Sequence, residues 1–521
     1  MRLILLILLL LPLAARAEIP GLAQMSGGFD DVRRGIEALA TSGSPRAAPV
    51  LDALQAGRLF TRANGGPVIK AEDGTQRDAE TGDPAPDASG LRPVRSNNAV
   101  RRALDAAQGS LRLFAPEPGT RQAAAEAVFK SRDAAAVPAL DRALAAEKDT
   151  GVASTMRQAR AAAVLATPDA AEADKLAAIA TMRARGDLDA RAVLASLPAN
   201  QPGAVAAAAG DAVTGIDRML QLWSLLQGVF YGVSLGSVLL LAAIGLAITF
   251  GVMGVINMAH GEMVMIGAYT TFVVQDLIRT HLPGAFGSSL FIAVPLAFLV
   301  SGAVGIAVER CLIRFLYGRP LETLLATFGL SLVLQQAVRS LFGPTNREVG
   351  TPAWMSGAGQ VGQLTITWNR LAIILFAVAV LAVLMAVLRY TSLGLRMRAV
   401  TQNRRMAAAM GIRTPWIDAL TFGLGSGVAG MAGVALSQID NVSPNLGQGY
   451  IIDSFMVVVF GGVGNLWGTA LGALTLGVVN KFLEPVAGAV LGKIVVLVGL
   501  ILFIQRKPRG MFPLKGRAVE S

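Results

Sequence analysis

The chain has little with which to do chemistry. Its 521 residues include one cysteine and two histidines, so Cys311 has no partner for an internal disulfide, and no clustered thiols or imidazoles form a metal site. Cys311 is read as a packing residue near a helix end. Charge is scarce: 16% of residues are Asp, Glu, Lys or Arg against 53% hydrophobic, a balance that excludes an ordinary soluble domain of this size. The net charge of +11 raises the question of nucleic acid. Aromatics make up only 6% and do not interleave with the basic residues, so nucleic acid is excluded as a partner. Nucleotide loops are missing too. A G-x-G-x-x-G frame starting at Gly462 meets Trp467 where the last glycine belongs, and Gly488 to Lys493 is one residue short of a phosphate-binding loop. No cofactor is expected, the chain is not expected to be an enzyme, and any ATP that powers it must be hydrolysed by another subunit.

The first half reads as an exported helical domain. Residues 1–17 carry Arg2, an apolar run from Leu3 to Leu13 and the cleavage-type triplet Ala15-Arg16-Ala17, the pattern of a signal peptide; an uncleaved anchor is the alternative. Residues 18–215 are rich in Ala, Arg and Asp without a long apolar run. Arg121 to Lys130, Ala135 to Glu147 and Ala153 to Ala166 have helical spacing, with Pro138 near a helix start. A shift of 36 residues lays Val128-Phe129 on Val164-Leu165 and Leu140 on Leu176, which points to paired helices in a short HEAT-like stack. Residues 64–98, full of Gly, Pro, Asp and Ser, are expected to form an exposed loop.

Residues 225–510 read as a membrane domain, followed by a cytoplasmic tail over 511–521. A span needs about 20 apolar residues. Candidates run near 227–250, 254–277, 289–308, 321–342, 370–388, 417–438, 451–463, 466–483 and 486–504, eight to nine spans with the short seventh in question. Arg310, Arg314 and Arg319 follow the third; Arg389 to Trp416 holds six arginines and no acid; Arg506, Lys507, Arg509, Lys515 and Arg517 close the chain. Setting these on the cytoplasmic side puts residues 18–215 outside and, with nine crossings, the carboxyl terminus inside. Glycines at four-residue spacing, Gly232/Gly236, Gly423/Gly427 and Gly464/Gly468/Gly472, indicate close helix packing.

Three stretches stand out as candidate sites. In GVINMAHGE, Asn257, His260, Gly261 and Glu262 lie between apolar runs, where unpaired polar groups are costly. Gly251 and Gly254 precede them, so a broken helix is expected. The stretch is either the lining of a solute path or a polar turn at the cytoplasmic membrane edge. The second is FGGVGNLWG, with Gly461, Gly462, Gly464 and Asn465. The third is LRMRAVTQNRRMAAAM, in which Met397, Val400, Met406, Ala407 and Met410 can share one helix face and Arg398 and Arg405 another; Gly411 ends the helix. Such a helix lies on anionic lipid or enters a partner's groove.

These three motifs, in this order, resemble the permease subunits of ATP-binding-cassette importers of the branched-chain amino acid class, over about residues 225–510. The resemblance implies a polytopic helical permease in a bacterial inner membrane, in contact with the lipid bilayer. It further implies a homologous permease beside it, two cytoplasmic ATPases docked on the loop helix around Arg398, Arg404, Arg405, Ala408 and Gly411, and an extracytoplasmic substrate-binding protein. The loop departs from the widespread importer signature in lacking its Glu and trailing Leu-Pro. The long exported domain and the wording of GVMGVINMAHGEMVMIGAY are similar to the urea-transporting branch of the class. The fold is therefore expected to be all-α, a transmembrane bundle preceded by an exported helical domain. The expected cargo is a small polar solute, urea first, for which Asn257, Asn465, Gln335 and Gln438 offer donors and acceptors. The alternatives are a branched-chain amino acid permease, a stand-alone transporter with Glu262, Asp453 and Glu484 as ion sites, and a membrane-tethered sensor.

Overall fold

The computed structural model describes residues 19–512, apart from 43, 45, 63–65, 72–73, 86–89 and 199–200. The signal-type segment 1–17 and nearly all of the tail, with Lys515 and Arg517, lie outside the described residues. The chain divides into two compact units, Met1–Gln221 and Leu222–Ser521.

In the first unit, α1 (Phe29–Thr41) and α2 (Ala47–Gln55) are followed by the strands β1 (Leu59–Thr61), β2 (Pro67–Lys70), β3 (Gln76–Asp78) and β4 (Arg92–Pro93), then α3 (Asn98–Arg112), α4 (Pro118–Ser131), α5 (Val137–Ala146), α6 (Thr150–Ala166), α7 (Glu172–Arg185) and α8 (Leu188–Ala195). Residues 64–98 are thus not simply a loop: they supply three of the four strands of an antiparallel sheet ordered β3-β2-β1-β4. The reason is local. Val68 pairs with Phe60 and is fully buried, and the Gly, Asp and Pro residues between the short strands make turns rather than one long excursion. The 36-residue shift lays α4 on α6 and α5 on α7. Val128, Phe129, Leu140, Val164 and Leu165 all enter one core, and Leu176 packs against it. Arg121 on α4 bonds both carboxylate oxygens of Glu147, at 2.6 and 2.9 Å. This pair, with the Asp149 backbone N–H, holds the Glu147 carboxyl down at about 2.

Helix α9 (Gly203–Met253) begins in the first unit and ends in the second. The second unit continues with α10 (His260–His281), α11 (Ser289–Cys311), α12 (Pro320–Phe342), a hairpin of β5 (Ala358–Val361) and β6 (Leu364–Thr367), α13 (Trp368–Tyr390), α14 (Ser392–Gln402), α15 (Arg404–Ala409), α16 (Thr414–Leu436), α17 (Leu446–Gly461) and α18 (Leu466–Arg506). Each of the nine apolar segments overlaps a helix, the second of them only from His260 onward. Among the described residues, six helices are long and apolar enough to cross a membrane: α9, α11, α12, α13, α16 and α18. The difference from nine has three sources. His260, Glu262, Gln275 and Asp276 lower the hydropathy of α10, α17 has only 16 residues, and α18 contains two of the segments, separated by a kink at Gly488 (φ 75°, ψ 164°).

The middle of this unit is α16, buried along nearly its whole length and packed on α10 and α11. Small residues permit the approach. A Cβ on Gly236 would lie 2.8 Å from the Leu474 Cα of α18, a contact that leaves no room for any side chain. Gly464 departs from the expected stripe: it sits outside α18 at φ 81° and touches Gly251 instead.

Contacts sort the interhelical connections onto two ends. At one end, Val255 packs with Ile313 and Phe422, Arg310 stacks over Trp416 and Arg404 over Tyr317, and the Met511 N–H donates to the Phe460 carbonyl at 2.9 Å. At the other end, Gln227 bonds Thr365, Gln275 bonds Gly350 and Trp354 bonds Gly287. The arginine clusters after α11, between α13 and α16, and after α18 therefore share the first end.

Candidate functional site

The first motif is a helix break. α9 stops at Met253, Gly254 takes φ 70°, and α10 restarts at His260. The turn between them is fixed by side chains: Asn257 Oδ1 accepts from the Ala259 N–H at 3.0 Å, and the Met258 N–H donates to Thr327 Oγ1 at 3.1 Å. His260 is buried, with Nε2 donating to the Ala242 carbonyl at 2.9 Å. Gly261 lies flat on Gly447 of α17, where a Cβ would come within 2.9 Å of a carbonyl carbon. One turn into α10, Glu262 Oε1 accepts from Ser331 Oγ and from Gln335 Nε2, both at 2.8 Å.

The partners of this motif lie on α12. Thr323, Thr327, Ser331 and Gln335 recur every four residues, each at most 4% exposed, while Leu321, Leu325, Val333 and Leu341 on the other side stand exposed. The helix thus buries its polar stripe against α10 and turns its apolar side outward, the reverse of a soluble helix. From Thr323 to Gln335 the stripe rises about 18 Å at 1.5 Å per residue, more than half of a bilayer's hydrocarbon core. Gln335 was a candidate from sequence; the stripe itself was missed, although its four-residue period is written in the letters.

Three buried polar atoms of this region have no hydrogen-bond partner among the described residues: Asn257 Nδ2, His260 Nδ1 and Glu262 Oε2. Buried polar groups are normally satisfied, so these atoms offer one donor and one carboxylate acceptor, with an imidazole nitrogen, to water or a solute. A cavity of about 170 Å³ adjoins the break, walled by Leu246, Asn257, Met258, Leu324, Ile451 and Phe455. Asp453 and Glu484, the other acids proposed as ion sites, are paired with Lys493 at 2.8 Å and Lys481 at 2.6 Å. Glu262 has no cation within bonding distance among the described residues.

The second motif is a corner. Gly461 ends α17, Gly462 and Gly464 take φ 105° and 81°, and Asn465 caps α18 by accepting from the Trp467 and Gly468 N–H groups at 3.1 and 3.2 Å. Asn465 Nδ2 also donates to the Phe512 carbonyl at 3.1 Å, so both ends of its amide are engaged. The motif was expected to line the solute path. The structure places it at the arginine-bearing end, against residues 509–512, with Gly464 touching Gly251 just before the first motif. Asn465→Ala is expected to remove the cap and lower stability by about 1 kcal/mol, read as a lower unfolding midpoint in detergent.

The third motif is two helices, not one. Asn403 leaves the helical region at φ −155°, ψ 99° and caps α15 by accepting from the Met406 N–H. Met397, Val400 and Ala407 are buried as expected, but the break swings Met406 and Met410 outward, to 59% and 77% exposure. Arg398 donates to the Leu388 carbonyl. Arg404 forms a bidentate pair with Asp418, whose side chain has no exposed surface. Arg405 and Ala408 are exposed, and Gly411 ends α15 with φ 86°.

A broken helix within a bundle of long apolar helices is the architecture of a multi-pass membrane protein. Residues 228–504 match the family described as branched-chain amino acid transport system / permease component, and the chain belongs to that family, whose members are transport components rather than enzymes. The high-affinity branched-chain amino acid transport system permease protein LivH of Salmonella typhimurium is 32% identical over 295 residues, 55% of this chain and 94% of that protein. The corresponding protein BraD of Pseudomonas aeruginosa is 30% identical over 300 residues, 56% of this chain and 97% of its own length. These relatives are covered almost whole by little more than half of this chain. No solved structure matches.

Proposed function

We propose that this chain is one permease of an ATP-driven importer whose cargo is urea. The observation that carries the reading is the pair of unsatisfied atoms at the helix break, Glu262 Oε2 and Asn257 Nδ2. Urea brings N–H donors for the first and a carbonyl for the second. An amino acid zwitterion also needs a cation beside its carboxylate; the nearest on this helix, Arg339, lies one turn beyond Gln335 and donates to Asn445. The first unit supports the reading as well, since it lies outside the match to the amino acid permeases. A branched-chain amino acid is the second reading, favoured by the names of the relatives and by the aliphatic walls of the cavity. Uptake of labelled urea and leucine in cells lacking the gene decides between them. High-affinity urea uptake should vanish and leucine uptake persist; the opposite result overturns the urea reading.

The mechanism follows from the ends of the bundle. With the arginine-bearing end cytoplasmic, α14 and α15 face the ATPases, and residues 18–215 are a separate exported domain, HEAT-like in its helix pairs. A homologous permease completes the path, an extracytoplasmic binding protein delivers the solute, and ATPase closure against α15 tips the bundle between outward-open and inward-open states. Arg405, exposed and without structural duties in the bundle, is the cleanest probe. Arg405→Glu is expected to lower uptake and ATPase copurification together, by about tenfold if one charge-assisted contact is lost. Full retention of both would remove α15 from the interface.

A further inference from the structure

Between α11 and α13, over a strip of α16 that neither helix covers, the second unit has a crevice of about 210 Å³. It opens at the end that carries the β5–β6 hairpin and runs inward from Leu290 to Val294 and from Ala372 to Phe376, about 6 Å along each helix. Its walls are apolar except for Gln438. That side chain is 7% exposed, its Oε1 is buried without a hydrogen-bond partner, and it lies just beyond the end of α16. Phe291 and Trp354 stand at the rim, 70% and 50% exposed, with ring centroids 5.6 Å apart. Aromatic side chains of this kind mark the membrane interface.

We propose that the crevice is a phospholipid site, with the first methylenes of an acyl chain between α11 and α13 and a headgroup donor on Gln438 Oε1. Water does not suit walls with a single polar atom. A zwitterionic solute would find no cation for its carboxylate among the lining residues, only the amide of Gln438. An amphiphile satisfies both parts of the site: its chain covers the apolar walls and its ammonium donates to Gln438. Phosphatidylethanolamine carries that donor; phosphatidylcholine, fully methylated, does not.

The test is native mass spectrometry of the full-length chain titrated with each lipid in mild detergent. One phosphatidylethanolamine per chain should bind in preference to phosphatidylcholine, by about tenfold for one hydrogen bond to a buried acceptor. Gln438→Leu should abolish the preference while leaving some binding. Ala372→Phe and, from the opposite wall, Val294→Phe should each abolish the bound lipid, with unfolding midpoints near that of the parent chain as the control for folding. Equal lipid binding by both filled variants overturns the proposal. So does displacement of the lipid by urea or leucine, or its exclusion when the partner permease copurifies.

Discussion

Arg404→Met is expected to lower the stability of the second unit by about 3 kcal/mol, because it takes both hydrogen bonds from a buried carboxylate and leaves it only the unbonded charge of Arg310. Asp418 is fully buried on α16, and Arg404 supplies both its counter-charge and two hydrogen bonds. The guanidinium also stacks over Tyr317, so one side chain ties α15 to α16 and to the connection after α11. Adding Asp418→Asn to Arg404→Met removes the stranded charge and should restore most of the loss. The coupling between the two changes, read from unfolding in detergent for the single and double variants, is the measurement. If the double variant is no more stable than Arg404→Met alone, the pair is not what holds this loop. The result also governs how transport data are read: a defect at position 404 reports a collapsed loop, and a defect at 405 reports a lost partner contact.

Glu262→Leu is expected to reduce solute uptake by about tenfold or more at equal membrane abundance. Ser331 and Gln335 lose a shared acceptor, and a buried hydrogen-bonding group left alone costs about 1–3 kcal/mol. The solute loses the only free carboxylate oxygen at the break. Glu262→Gln separates these effects. It keeps an acceptor for Ser331 and Gln335 but places an amide N–H₂ where the bare oxygen was, so it should preserve abundance and still impair uptake. Wild-type uptake by the leucine variant would show that the α10–α12 seam is not on the solute's route.

What was legible in the sequence was local. His260 and Glu262 among apolar letters announced a buried polar site, and the glycine at 254 announced the break before it. Gly411 was identified as a helix end, and it follows α15 with φ 86°. What was not legible depended on distant partners. Nothing near Glu262 names Ser331 and Gln335, some seventy residues later. Asn465 looked free for a solute because its second partner, Phe512, lies beyond the whole of α18. The loop helix kept its helical period through Asn403, whose side chain instead starts a new helix. In residues 64–98 the abundance of turn formers masked strands only two to four residues long, too short to display an alternating pattern.

The corner between α17 and α18 has a consequence for biosynthesis. The Phe460 and Gly461 carbonyls receive the Met511 and Phe512 N–H groups, which leave the ribosome only after α18 has been made in full. Until then the Phe460 and Gly461 carbonyls of a nascent bundle lack these two donors. Closing this corner is therefore a late, chain-ordered event in synthesis.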